Sequence, residues 1–300
     1  MKTRDGLDLF GLAAIWGASF LFMRAGASDF GPVALAFVRV AGAAAVLMPL
    51  VFWKGLWPDI RRHWRPIVVA GLASSAIPFL CFSYAALTVP AGVLAIFNAT
   101  TPLFGSIIAS LWLKDRLTPS RALGLAIGFG GVLYLVWSRA HPAAGGASAL
   151  QLTALLACLV ATLGYGLATN FSKRYVPDVP PIALAAGTQL ASTAALVLPA
   201  WLWWPSAPIS GQAWGAVLLL AVLCTGLAYV VFFRLIASAG PPTAMSVTFL
   251  IPLFAALWGW LLLNESLTRD MVLGCAIILL GTSLVTGMVK LPSWGTRTVS

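Results

Sequence analysis

Long apolar runs separated by short polar breaks dominate the pattern of this chain. Ten of them lie near 8–26, 32–53, 66–87, 91–113, 120–138, 149–171, 180–203, 212–237, 241–264 and 269–289. Each approaches the ~20 apolar residues that a helix needs to cross the hydrocarbon of a bilayer. The breaks are Pro- and Gly-rich, as at Gly31-Pro32, Thr88-Val89-Pro90 and Ala239-Gly240-Pro241-Pro242. Such residues end one helix and open the next. The longest polar segments, Lys54–Arg65 and Ser138–Ser148, are loops rather than domains. The prediction is an all-α integral membrane protein of ten spans, numbered 1 to 10 in chain order.

The runs repeat. Pro102-Leu103-Phe104, Asp115-Arg116-Leu117-Thr118, Gly124 and Gly131 return 150 positions later as Pro252-Leu253-Phe254, Glu265-Ser266-Leu267-Thr268, Gly274 and Gly281. Earlier in each half the offset is 149: Trp16-Gly17 matches Tyr165-Gly166, Arg24 matches Lys173 and Pro32 matches Pro181. Self-similarity of this length means two copies of one structural unit, expected over residues 1–145 and 146–300. Each copy holds five spans, an odd number, so the second copy enters the membrane from the opposite side.

Composition fits lipid as the solvent. Of the 300 residues 60% are hydrophobic and 9% charged, against about 25% charged in soluble domains. The net charge of +10 is scattered through short loops, which reports orientation rather than a nucleic-acid surface. With the N-terminus in the cytoplasm, 14 of the 18 Lys and Arg fall inside, three (Arg24, Arg139, Arg269) outside, and Arg39 within a span. Both termini are therefore expected in the cytoplasm. The duplicated loop agrees: 114–121 carries three basic residues and one acidic, whereas 264–270 carries one basic and two acidic. The apolar start after Lys2 and Arg4 resembles a signal peptide. Its internal counterpart at 159–173 marks it instead as the first span. Cys81, Cys158, Cys224 and Cys275 stand singly in apolar runs, read as buried small hydrophobes, and His63 and His141 fall in polar loops and are expected to be solvated.

The Ile15-Trp16-Gly17-Ala18 block, Pro32 with Arg39, and the duplicated Pro102 … Asp115-x-Leu-Thr … Gly124 … Gly131 run resemble the drug/metabolite transporter superfamily, specifically its EamA-type ten-helix members. The resemblance covers nearly the whole chain, with Asp115 where the pattern more often has Glu. It implies a secondary transporter with a central cavity between inverted halves, lined by spans 1, 3 and 4 and their mates 6, 8 and 9. Members that export amino acids, aromatic ones included, are among the closest in character.

The candidate site follows from helical spacing. Pro102 and Pro252, mid-span in 4 and 9, are read as hinges that free the carbonyls of Asn98 and Thr248, the alternative being that neighbouring Ser or Thr side chains satisfy the kinks. Thr101 shares that face of span 4. Ser75 and Phe79 with Phe82 on span 3, Thr225 and Tyr229 on span 8, Trp16 and Phe20 with Met23 on span 1, and Tyr165 on span 6 supply an apolar surface with a few placed polar groups. The substrate-binding set is therefore Trp16, Phe20, Ser75, Phe79, Asn98, Thr101, Tyr165, Thr225, Tyr229 and Thr248. Arg39, the embedded charge, has two readings: it receives a substrate carboxylate, or it is structural and reaches outward to Asp29 or to helix-end carbonyls. The second is the expectation.

No GxxxxGK[ST], GxSxG or HExxH motif occurs, and no acid falls inside a span, Asp8 at the start of span 1 being the nearest. The reading is a non-enzymatic exporter of amino acids or similar small metabolites in a bacterial-type inner membrane. It would need no cofactor or metal, work as a monomer, contact lipid and a small-molecule substrate but no nucleic acid, and run down the substrate's own gradient. The alternatives are a sugar-phosphate or nucleotide-sugar antiporter, which needs several cavity cations, and a membrane-embedded enzyme or lipid-handling scaffold, which needs a polar cluster at one interface.

Overall fold

A computed structural model of the protein describes residues 3–140 and 149–289, with only the backbone at Thr3, Arg139, Ala140, Pro241 and Pro242. His141, the boundary expected at 145/146, and Lys2, Lys290 and Arg297 lie outside the described residues. The described residues are helical throughout apart from short connections. Nine helical stretches are long and apolar enough to cross a membrane, the first running Arg4–Trp53. At 1.5 Å per residue that stretch is about twice the length of one crossing. It is broken at Gly31, whose φ of 67° and ψ of 166° turn the chain back. Glycine carries that conformation without a Cβ clash. Spans 1 and 2 are thus two helices joined at Gly31-Pro32, and the ten expected spans are present.

The others are Trp64–Ala85 (span 3), Ala91–Trp112 (span 4), Pro119–Ser138 (span 5), Ala149–Tyr175 (span 6), Pro181–Leu202 (span 7), Gly211–Ala239 (span 8), Thr243–Leu263 (span 9) and Arg269–Thr286 (span 10). A short helix, Trp57–Arg62, fills the loop between spans 2 and 3. His63 ends it with Nδ1 3.1 Å from the Asp59 carbonyl, so this histidine is only partly solvated.

The repeated loop motif is a repeated local structure. Lys114 (φ 58°) and Asn264 (φ 52°), 150 positions apart, are left-handed residues that end spans 4 and 9. The next amides close matching turns, Asp115 N–H to the Ala109 carbonyl and Glu265 N–H to the Gly259 carbonyl. The motif's threonines then start the following helices. Thr268 Oγ1 accepts from Met271 N–H at 3.3 Å and Thr118 Oγ1 from Arg121 N–H at 3.3 Å. A threonine in that position satisfies an amide that the helix itself leaves unpaired.

Glycines set which spans meet. A Cβ on Gly17 would lie 2.7 Å from Phe254 Cβ, and one on Gly166 would lie 2.8 Å from the Gly105 amide nitrogen. The Trp-Gly and Tyr-Gly repeats therefore press span 1 against span 9 and span 6 against span 4. Close backbone approach between small residues is the usual basis of helix association in lipid. It also fixes the neighbouring Trp16 and Tyr165 in depth and direction. Spans 5 and 10 pack on one another by the same means, with Gly281 against Gly124 and Gly128.

Spans 3 and 8 each contain a π-bulge, over Leu72–Ala76 and Val222–Leu227. The two are matched by the repeat. A π-bulge inserts one residue into the helix, leaves backbone groups free for other partners, and recurs at functional sites. Here it carries Ser75 in one half and Thr225 in the other.

Candidate functional site

A cavity of about 230 Å³ lies among spans 1, 2, 3, 4, 6, 8 and 9. Nine of the ten expected binding residues line it: Trp16, Phe20, Phe79, Asn98, Thr101, Tyr165, Thr225, Tyr229 and Thr248. Met23, Phe82 and Pro102 join them. Ser75 does not. It is fully buried, and its hydroxyl accepts from Gln189 Nε2 of span 7 at 2.9 Å. Its contact is with span 7, although Thr225 at the matched position of the other bulge faces the cavity.

The aromatic wall is held by ring contacts across the two halves. Trp16 and Phe232 have centroids 5.1 Å apart, and Phe82 stacks on Tyr165 at 6.2 Å. Phe20 meets Phe82 edge-on at 5.7 Å.

Two expectations about the backbone change. The carbonyl of Asn98 is not left free by Pro102, because Thr101 Oγ1 reaches back to it at 2.8 Å. The helix is already interrupted before the proline: span 4 consists of Ala91–Asn98 and Thr101–Trp112, so Pro102 stands in the first turn of a new segment. Span 9 is likewise split, into Pro241–Met245 and Val247–Leu263. Pro252 sits within the second piece, buried and away from the cavity lining. The polar groups span 4 offers the cavity are therefore the Asn98 and Thr101 side chains.

Arg39 is the larger correction. It does not reach Asp29, whose carboxylate instead accepts from Ser210 N–H at 3.1 Å and Ser210 Oγ at 2.6 Å. Arg39 is only 7% exposed and points into the cavity lining. Its Nε donates to Thr225 Oγ1 at 3.1 Å, its Nη1 lies 3.4 Å from Met23 Sδ, and its guanidinium covers the Phe79 ring at 3.6 Å. The sequence could not reveal this, because Thr225 is 186 positions away. Ser19, Cys224 and Ile251, which sequence reasoning did not place in the site, also line the cavity.

A second cavity of about 490 Å³ shares Tyr165 and Tyr229 with the first and extends past Thr169 and Ser172 to Lys173. The two ends of the molecule differ accordingly. At one end Arg24 Nη1 donates to the Ala86 and Leu87 carbonyls at 2.7 and 2.9 Å, where span 3 stops. Its Nε lies 3.5 Å from Glu265 Oε1. Glu265 Oε2 accepts from the Ala91 amide at 2.9 Å, where span 4 starts. Burial pushes the Glu265 carboxyl above its usual pKa, while the Ala91 amide and Arg24 pull it back. At the other end the matched pair, Lys173 and Asp115, is 3.9 Å apart with side chains 68% and 46% exposed. One pair is a clasp over three span ends; its counterpart is loose and stands beside an open vestibule. The expectation that no acid falls inside a span changes at the start of the first helix, Arg4–Trp53, which includes the buried Asp5 as well as Asp8, the latter engaged by Arg234 at 2.6 Å.

Among the described residues no group of His, Cys, Asp and Glu is disposed to hold a metal ion.

Comparison with known proteins gives the same picture. The profile described as the EamA-like transporter family matches residues 7–137 and again 152–287. The chain is similar to the uncharacterized transporter YoaV of Bacillus subtilis, 24% identical with 92% of this chain and 94% of that protein covered. It is 27% identical to the uncharacterized inner membrane transporter YedA of Escherichia coli K12, with 95% of this chain and 93% of that protein covered. An uncharacterized transporter of Archaeoglobus fulgidus is 25% identical, with 95% and 98% covered. A solved crystal structure, 19% identical, superposes with a TM-score of 0.69 over 98% of this chain and 100% of the other, a likeness of fold.

Proposed function

The chain belongs to the EamA-like transporter family, and on that premise we propose that it exports amino acids, aromatic ones included, across a bacterial inner membrane. The observation that carries this reading is the central cavity. Trp16, Phe79, Tyr165 and Tyr229 supply flat apolar walls, and Asn98, Thr101, Thr225 and Thr248 supply separate hydrogen-bonding groups. A small amphipathic solute fits that mixture. A sugar-phosphate or nucleotide-sugar cargo would require more cations than Arg39 alone on the cavity wall.

The two halves, taken as residues 1–145 and 146–300, rock about the cavity so that it opens to one face at a time. The clasped Arg24–Glu265 end and the loose Lys173–Asp115 end describe one state of that cycle. The Lys and Arg bias supports a cytoplasmic Lys173 end with both termini on that side. One chain holds the whole cavity, so a monomer suffices, in contact with lipid and substrate and without cofactor or nucleic acid.

Purified protein in liposomes loaded with radiolabelled phenylalanine should release it down its gradient. Trp16→Ala, Asn98→Ala and Tyr229→Ala are each expected to raise the half-saturating concentration about tenfold, the loss of one stacking or hydrogen-bonded contact, at normal expression. An imposed pH step without a substrate gradient should concentrate nothing, since among the described residues no Asp or Glu lines the cavity and Asp8 is paired with Arg234. Normal kinetics in all three variants would remove the site assignment. Accumulation on the pH step would contradict uncoupled transport.

A further inference from the structure

The repeat supplies an internal comparison for Arg39. In the second half Gln189 of span 7, one position beyond the match of Arg39 in the register set by Pro32 and Pro181, donates through Nε2 to Ser75 Oγ, at the π-bulge of span 3. In the first half Arg39 of span 2 donates through Nε to Thr225 Oγ1, at the π-bulge of span 8. Each second helix thus tethers the bulge of the other half by one N–H to hydroxyl bond. A neutral glutamine performs that task on one side. A guanidinium on the other brings a full charge that the tether does not need.

Among the described residues that charge has no counter-ion. The ion pairs there are Arg24 with Glu265, Lys173 with Asp115 and Arg234 with Asp8, and none involves Arg39. A guanidinium has five N–H donors. One goes to Thr225, one points at a weak acceptor, the Met23 sulfur, and the rest have no partner among the described residues. The Phe79 face covers the group from one side, and what is open to it is the cavity. A buried cation without an anion is strongly unfavourable. One held in place by a hydroxyl and a ring, with a fork of donors left over, is a preorganised receptor for a planar oxyanion. Among the described residues no Asp or Glu lines the same cavity to receive an ammonium group.

We propose that Arg39 is the specificity-determining residue of the cavity: it binds the carboxylate of the cargo, so the recognised class is apolar or aromatic monocarboxylates, and the amino group of an amino acid is dispensable. The proposal rests on the exporter reading above, in which the same cavity holds the cargo. A phosphate monoester dianion would be left with one cation for two charges.

The test is calorimetric binding to the purified, detergent-solubilised protein with four probes: phenylalanine, phenyllactate, phenylalaninamide and phenethylamine. Phenylalanine and phenyllactate should bind alike within a few-fold. Phenylalaninamide and phenethylamine should bind at least ~10-fold more weakly, the size of a lost charged hydrogen bond. Arg39→Gln copies the residue that already tethers the other half, so the bulge contact survives. It should cost both acids ~10-fold or more and level the four probes, while Arg39→Lys should keep the preference for acids. Amide and amine binding as tightly as phenylalanine, or an Arg39→Gln protein with undiminished affinity for the acids, would overturn the proposal and leave the amino-acid reading standing. Phenyllactate bound without phenylalanine would keep the carboxylate receptor and overturn the amino-acid reading. Binding of none of the four would overturn both.

Discussion

Glu265→Ala is expected to unlock the clasped end of the transporter. The carboxylate joins three span ends at once: it pairs with Arg24, which holds the last carbonyls of span 3, and it accepts from the first amide of span 4. It also sits at a helix N-terminus, where a negative charge is favoured. The side chain is only 13% exposed, and burial works against its charge, so the cost comes from the partners: removing the carboxylate leaves the Ala91 amide and Arg24 without their acceptor and should cost the closed arrangement about 2–3 kcal/mol. That is a shift of roughly 30- to 150-fold in the balance between the two states of the cycle. In a background without the native cysteines, Thr101→Cys in the central cavity should then react with an impermeant thiol reagent from the Glu265 face at least ~10-fold faster. Asp115→Ala, the matched change at the loose end, should alter accessibility by less than about twofold, because its pair is exposed and screened. Equal reactivity with and without Glu265 would mean that the clasp does not gate the cavity.

Gly281→Leu should be the most damaging substitution away from the cavity. A Cβ there would run into the backbone of Gly128 and lie 2.6 Å from the Gly124 carbonyl oxygen. The reverse contact is as tight, since a Cβ on Gly124 would lie 2.7 Å from the Gly281 carbonyl oxygen. Backbone cannot yield as a side-chain tip can, so spans 5 and 10 would have to separate and lose packing along their length. In lipid that packing is the main force between helices. Overpacking of this kind costs about 1–3 kcal/mol or more. Gly281→Ala should lower the melting temperature in detergent by several degrees, and Gly281→Leu should leave little folded protein. Gly130→Ala, in span 5 beside Gly128 and Gly131, should be neutral, because a Cβ there would meet nothing within 4 Å. Unchanged melting of Gly281→Leu would show that this contact is not close in the folded protein.

What was legible in the sequence and what was not divide along physical lines. Span positions follow from burial in lipid, which any helix of sufficient length must satisfy, so the apolar runs locate them. The join at Gly31-Pro32 was readable because only a few residue types make so sharp a reversal. The loop motif was readable as a repeat, and the structure adds why it recurs: a left-handed helix end at Lys114 or Asn264, then a threonine cap. Most of the cavity wall could be placed because residues three and four apart share a helix face. Ser75 was misplaced because the glutamine that engages it belongs to the other repeat, a contact that helical spacing within one span does not show. The Asn98 carbonyl expected to be freed at Pro102 is instead satisfied locally, by a hydroxyl three residues on. Arg39 was beyond reach because the partner that fixes it belongs to the other repeat.

The most direct test of two inverted halves closing around one cavity uses a matched pair of exposed positions. Leu117 and Leu267 are 150 positions apart in the repeated loops, 43% and 51% exposed. Each is replaced by cysteine in a background without the native cysteines and treated with an impermeant thiol reagent from one side of the membrane at a time. Labelling of Leu117→Cys only from the cytoplasm and of Leu267→Cys only from outside is the predicted result. Labelling of both from the same side would contradict the inverted arrangement, and with it the alternating cavity.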